Sequence, residues 1–488
     1  MTLRPLPIGT GSNLDISDTS AGDSAAVSFI NAYVDRAGAI RTVPGCVQYA
    51  DLGINGDTWA YYSTLFDVLL AVAAGKVFVQ YAKDGAFTEL TGVSITAGEV
   101  PTFAEDSASI FFAANSQIHV FVPSAAAATV IATGPINVTS LVYIGGYLMA
   151  RGDVSTGNVV GDTHYSDDKD NGYALWEVYN NESRPDALQS LVVAYEQIYN
   201  IGRTTLEVTY IDGTVPFSVN KNAAQHFGTC ARYSVAFDGE SIYYLTEVAD
   251  SRAVVSLRGG GSPAIISFPI SIPLDQFEAV HDARAFIMSF RGQSGYAITF
   301  PSANTEIDGH FYSAVTLFYH LQSKEWIILG KWNTDTASYG AYRGVSSCYV
   351  EPWGLRLIGG RDGKLYQIQE TELTDYDTEF QFLHRWRDDG KREWKPSKVV
   401  AIGKLGEYRS KPLKKGPNGS YHSRQHELIY NDISDAGEIF RAGIRTGNVS
   451  YGTTARGKRS QYYHYDIERG KGQFVLNGVQ EEFEMLRF

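Results

Sequence analysis

Residues 69–79 (LLAVAAGKVFV) and 110–120 (IFFAANSQIHV) repeat at an offset of 41 residues, and no other feature of the sequence constrains the fold as much. Each segment reads as a strand, a tight turn and a second strand. A hairpin unit of about 40 residues cannot bury both of its faces alone. It must stack on copies of itself, which is the logic of a propeller blade. Residues 141–150 carry a similar hairpin about one period further on, with Gly145-Gly146 as its turn. Later candidates lie at 197–210, at 235–257 around Asp238-Gly239, at 285–328, and at 354–368 around Asp362-Gly363. Counting these gives six or seven blades, and a pair of β-sandwiches built from similar hairpins is the alternative.

Composition agrees with strands and turns. The chain has 48 Gly, 31 Tyr and 24 Phe but only 19% charged residues; aromatic side chains fit a pleated surface, and Gly supplies turn conformations. At 488 residues the length allows roughly two to four domains, or one large repeat fold with an appendage. The expected fold is all-β: a β-propeller of six or seven blades with an extended N-terminal arm and a smaller C-terminal β-rich domain. The first 25 residues, rich in Gly, Ser, Thr and Asp, read as the arm, so 1–55 is taken as arm and lead-in to the first blade. The propeller is expected over 56–374. From about 375 the character changes to Trp386, Trp394, clustered Lys and Arg and a loop-like stretch at 411–420, which makes 375–488 the last domain.

The net charge of −13 is unevenly divided. Residues 1–384 hold 21 Lys and Arg against 41 Asp and Glu, a net of −20, while 385–488 hold 20 against 13, a net of +7. A uniformly basic nucleic-acid binder is thereby excluded for the main body, because phosphate binding needs dense Lys and Arg on the contacting surface. The apolar run from 65 to 79 is broken by Asp67, Gly75 and Lys76 and is too short to span a bilayer. Met1-Thr2-Leu3-Arg4-Pro5 runs into a polar stretch and does not read as a secretory leader. Cys46, Cys230 and Cys348 are distant and odd in number, which suggests neither a disulfide framework nor a metal pair. A soluble protein folded in a reducing cytoplasm is expected, with no cofactor and no membrane partner.

Motifs that carry chemistry fail on spacing. Gly360-Arg361-Asp362-Gly363-Lys364-Leu365 lacks the spacing and the Ser or Thr of a phosphate loop, and Gly292-Gln293-Ser294-Gly295 lacks one residue of a nucleophile elbow. His422 and His426 would share a helix face, yet no third ligand is usefully spaced. The segment 166–176 (SDDKDNGYALW) is similar to the acidic hairpin turns of sialidase propellers, although two residues longer. Those turns are structural. Catalysis there needs a carboxylate, a tyrosine pair and an arginine cluster, and the basic residues of the first 384 positions read as scattered singly. No catalytic residue is assigned, and the chain is expected not to be an enzyme.

Residues 27–45 (VSFINAYVDRAGAIRTVPG) resemble the opening of the packaged-DNA stabilisation proteins, the tail hub or nozzle family of short-tailed bacteriophages. In that family an Asn-x-aromatic element precedes a Gly-containing turn, a basic residue and a Pro-Gly pair. Asn31, Tyr33, Gly38, Arg41, Pro44 and Gly45 match the pattern. The resemblance implies a structural virion protein in the tail, made in the host bacterial cytoplasm. It implies a homo-oligomer of six copies below the head-to-tail adaptor ring, with tailspikes or fibres outside and a needle or plug at the tip. Genomic DNA would pass through the channel without sequence-specific binding, being retained and then ejected. The basic residues Lys404, Arg409, Lys411, Lys414, Lys415, Lys458 and Arg459 are the candidate partner-binding patch, set against an acidic body that repels DNA. The alternative is a glycan-binding or glycan-degrading tail propeller, whose mark would be a cleft where a tyrosine, paired carboxylates and arginines converge.

Overall fold

The computed structural model describes residues 26–36 and 40–369, apart from 115–116, 154–161, 181–185, 213–216, 221–223, 260, 308–309, 334–335 and 337. It also describes the backbone of paired strands at Thr2–Leu6 and between 380 and 485. Among the described residues no helix is long and apolar enough to cross a membrane.

Seven four-stranded antiparallel units follow one another along the chain. Blade 1 is Thr58–Ser63, Val68–Ala73, Lys76–Gln80 and Thr88–Glu89. The inner strands of the next five open at Thr102, Ile136, Leu188, Ala236 and Arg284. Blade 7 takes Gly344–Val350, Leu355–Gly360 and Lys364–Ile368 from the end of the series. Its fourth strand, Cys46–Asp51, comes from the beginning and pairs antiparallel with Lys364–Ile368. The ring is thus closed by two distant parts of the chain. At this seam the backbones approach so closely that a Cβ on Gly359 would lie 1.8 Å from Thr58 O, and one on Gly363, which has φ +77°, would lie 1.4 Å from Ile54 O. Only glycine fits.

Second strands such as Val68–Ala73, Ile110–Ala113 and the third strand Val315–His320 are buried at every position. Each blade is covered on both faces by its neighbours, so these strands read as continuous apolar runs without alternation. The 41-residue repeat is the second-to-third-strand hairpin of blades 1 and 2. The hairpin at 141–150 is out of phase with it. It joins the inner and second strands of blade 3, turning at Gly145 and Gly146, both at positive φ.

Hydroxyl groups clip adjacent inner strands together at three junctions. Thr102 Oγ1 accepts Leu141 N–H (2.8 Å), between blades 2 and 3. Ser140 Oγ accepts Leu191 N–H (3.1 Å) and donates to Leu191 O (3.0 Å), between blades 3 and 4. Ser346 Oγ accepts Ala60 N–H (3.2 Å) and donates to Thr58 O (3.0 Å), across the closing seam. Each clip satisfies buried backbone groups, and each bond is worth about 1 kcal/mol.

Both ends of the chain meet outside blade 6. The strand Ala26–Ile30 adds parallel to its outer strand Glu325–Asn333 at Ile30 and Ile328, and pairs antiparallel with Phe380–Arg387. Through Phe380–Arg387 the sheet continues into Ser460–Gly470, Ile439–Val449, Gln425–Leu428 and Tyr408–Lys411. Thr2–Leu6, Ile40–Thr42 and Trp394–Gly403 all pair with Val475–Met485. The expected arm is therefore interleaved with C-terminal strands.

Candidate functional site

The N-terminal motif forms a clamp on blade 6. Asn31 is fully buried at φ +52°, a left-handed conformation that Asn tolerates better than most residues. Its N–H donates to Ile328 O (2.8 Å), its side-chain Nδ2 donates to Gly330 O (2.8 Å), and its Oδ1 accepts Gly330 N–H (3.0 Å). The side-chain amide thus extends the strand pairing where the backbone turns away. Tyr33 is 1% exposed, with its ring edge-on to Phe290 at 5.3 Å. Arg41 is paired with Asp35. Pro44 and Gly45 are buried, and Gly45 O accepts Gln369 N–H (3.1 Å) where the chain enters blade 7. Gly38 lies outside the described residues. Five of the six motif positions are thereby brought together as a joint between arm, blade 6 and blade 7.

The rejected chemistry is structural where it is described. Gly292 and Ser294 belong to a hairpin joining Arg284–Phe290 to Gln293–Phe300, a strand-to-strand turn that leaves no nucleophile elbow. The segment at 360–365 is likewise a hairpin, in which Asp362 Oδ2 accepts Tyr366 Oη–H (2.5 Å). His426 lies in the strand Gln425–Leu428, and His422 lies outside the described residues. None of the three cysteines is in a disulfide; burial pushes the thiol of Cys230 up to about 11 and that of Cys348 up to about 12, so both are protonated near neutral pH.

The acidic turn after Asp162–Ser166 staples blade 3 to blade 2. Tyr173 Oη–H donates to Asp106 Oδ2 (2.6 Å), Lys169 Nζ lies 3.2 Å from the same oxygen, and Asp106 Oδ1 accepts the N–H groups of Ala108 and Ser109 at 2.7 Å. Burial alone would raise the Asp106 pKa. The donors from Tyr173, Ala108, Lys169 and Ser109 outweigh it and hold the carboxyl below its usual value. No group of three metal-ligating side chains occurs among the described residues.

Arginines that are far apart in sequence converge on the face where each blade connects to the next. Arg232 precedes the inner strand of blade 5, Arg284 opens that of blade 6, and Arg361 lies in the last hairpin of blade 7. Arg284 reaches past blade 7: Nη1 pairs with Asp57 Oδ2 (2.6 Å) ahead of blade 1, and Nη2 donates to Gly98 O (3.4 Å) ahead of blade 2. Its guanidinium lies 5.7 Å from the Trp59 ring. Tyr233 Oη–H, ahead of blade 5, donates to Glu99 Oε2 (3.4 Å) on the opposite side. These ties bridge the mouth of the axial channel. The expectation of singly scattered basic residues is corrected here, because stacking blades places residues one or more periods apart on a common rim.

A family described as Phage_stabilise, Bacteriophage P22 Gp10, β-propeller, matches residues 27–372. The chain belongs to this family. The β-propeller that the family description names agrees with the ring of blades, and the chain is a phage tail β-propeller protein that stabilises packaged DNA. No curated protein sequence matches it. Among solved structures it is similar to the N-terminal domain of Nup159, at 10% identity and TM-score 0.41 over 74% of this chain and 98% of that one. It is also similar to the extracellular domain of a putative one-component system from B. thetaiotaomicron, at 10% identity and TM-score 0.43 over 82% of this chain and 45% of that one.

Of the basic patch, Arg409 and Lys411 lie in the backbone strand Tyr408–Lys411. Lys404, Lys414, Lys415, Lys458 and Arg459 lie outside the described residues.

Proposed function

We propose that this stabilisation protein is the tail hub or nozzle subunit, and that several copies, six by family resemblance, surround the DNA channel below the adaptor ring. The family match over 27–372 carries this reading. The bridged mouth supports it, since Arg284 to Gly98 and Tyr233 to Glu99 join blades on opposite sides of a single propeller's ring. A DNA path then has to run between copies. The net −20 of residues 1–384 gives each copy an acidic body that repels phosphate, so DNA slides past instead of adhering. The basic C-terminal region makes the protein contacts, with the adaptor, tailspikes or fibres, and a needle or plug as partners. The role is retention and timed release of the genome, without catalysis.

The test is a phage from which this chain is deleted. Heads should fill with DNA and then lose it to added nuclease, and supplying the chain in trans should restore protection. Heads that retain DNA without the chain would refute the reading.

A further inference from the structure

The rim at the axial mouth has spare hydrogen-bonding capacity of two kinds. Arg361 donates Nε–H to Tyr342 O (3.0 Å), and its remaining guanidinium donors have no hydrogen bond among the described residues. Burial lowers its pKa, so its charge is partly stripped of water. Arg232 lies 5.0 Å from the Tyr233 ring and has no ion pair among the described residues. Asp57 and Glu99 each use one oxygen, towards Arg284 and Tyr233, and their other oxygens accept no hydrogen bond among the described residues. Asp57 and Arg284 both act electrostatically on Arg361, and Arg284 also acts on Tyr233, over whose ring Arg232 lies.

A partly buried guanidinium with unused donors is costly unless something occupies them. A carboxylate suits it best, through two parallel N–H···O bonds. Three guanidiniums against two carboxylates leave one net positive charge, which matches a monoanion and disfavours a dianion such as phosphate. The unused oxygens of Asp57 and Glu99 accept hydrogen bonds, and hydroxyl groups supply them. We propose that Arg232, Arg284, Arg361, Tyr233, Asp57 and Glu99 form a binding site for a carboxylate-bearing sugar, with the acid group on the arginines and the ring hydroxyls on the two acids. The site binds without cleaving. Asp57 is spent as the counter-ion of Arg284, and burial raises the Tyr233 hydroxyl further from ionisation.

The experiment is saturation-transfer NMR and calorimetry on the full-length protein with D-glucuronate, D-glucose, acetate and inorganic phosphate. Glucuronate should bind in the millimolar range, and glucose and phosphate at least tenfold more weakly. Arg361→Gln and Arg232→Gln should each weaken glucuronate at least tenfold, with the thermal midpoint unchanged in the Arg232 variant. Because Arg232 makes no hydrogen bond or ion pair among the described residues, its variant keeps the test open if the Arg361 variant fails to fold. Equal binding by acetate, tighter binding by phosphate, or unchanged affinity in the Arg232 variant would overturn the proposal. None of these outcomes bears on genome retention, which is tested separately.

Discussion

Replacing Asn31 with Ala should open the joint between arm and propeller. The side chain makes two buried hydrogen bonds to Gly330, and its removal leaves a buried N–H and a buried C=O on that strand unpaired. Each bond contributes about 1 kcal/mol and the stranded groups cost about 1 kcal/mol more. Holding Ala at φ +52° costs roughly 1 kcal/mol. Together these amount to about 4 kcal/mol, enough to raise the locally open population by roughly a thousandfold. Trypsin cleavage at the exposed Arg36 reads that population directly. Cleavage should accelerate by two to three orders of magnitude in Asn31→Ala. Asn31→Gly should recover the backbone share, roughly 1 kcal/mol. A rate within threefold of the wild-type protein would refute the clamp, and equal rates for the two variants would refute the backbone contribution.

Gly359→Ala places a Cβ against the Thr58 carbonyl at the closing seam, so it should cost about 3 kcal/mol and lower the thermal midpoint, whereas Gly354→Ala, with open space around it, should cost less. His320 is held neutral between Gln293 and Ser323, and burial lowers its pKa to about 4. The unfolded chain binds that proton at higher pH, so stability should rise with pH between about 4 and 6.5 and be flat with respect to this group above that. His119 is shifted in the same direction, and His320→Leu should therefore reduce the slope of urea midpoint against pH without abolishing it. Charge reversal by Lys411→Glu, Lys414→Glu and Lys415→Glu should weaken tail assembly, measured by sedimentation of reconstituted tails. Added salt should weaken the wild-type assembly towards the mutant.

The ring was legible because blades advertise themselves locally. Continuous runs such as LLAVA and IFFA followed by turn residues identify strands covered on both faces, and Gly145-Gly146 identifies a hairpin at once. Phase was harder to read, since a hairpin between strands one and two looks like one between strands two and three. Closure of blade 7 by Cys46–Asp51 was not legible, because pairing across more than 300 residues leaves no local mark. The same holds for the arginine rim. Its only signal is recurrence at equivalent blade positions, as with Arg232 just before one inner strand and Arg284 at the start of the next, and unequal blade lengths obscure that spacing. The motif from Asn31 to Gly45 could be recognised, but its role as a clamp follows from Gly330, a residue that sequence reading did not single out.

Electron cryomicroscopy of the intact tail tests the central claim most directly. The account predicts several copies of the 46–369 propeller in a ring below the adaptor, with DNA density on the ring axis and none along any propeller's own axis. A single copy per tail, DNA threading a propeller, or a tail without this chain would contradict it.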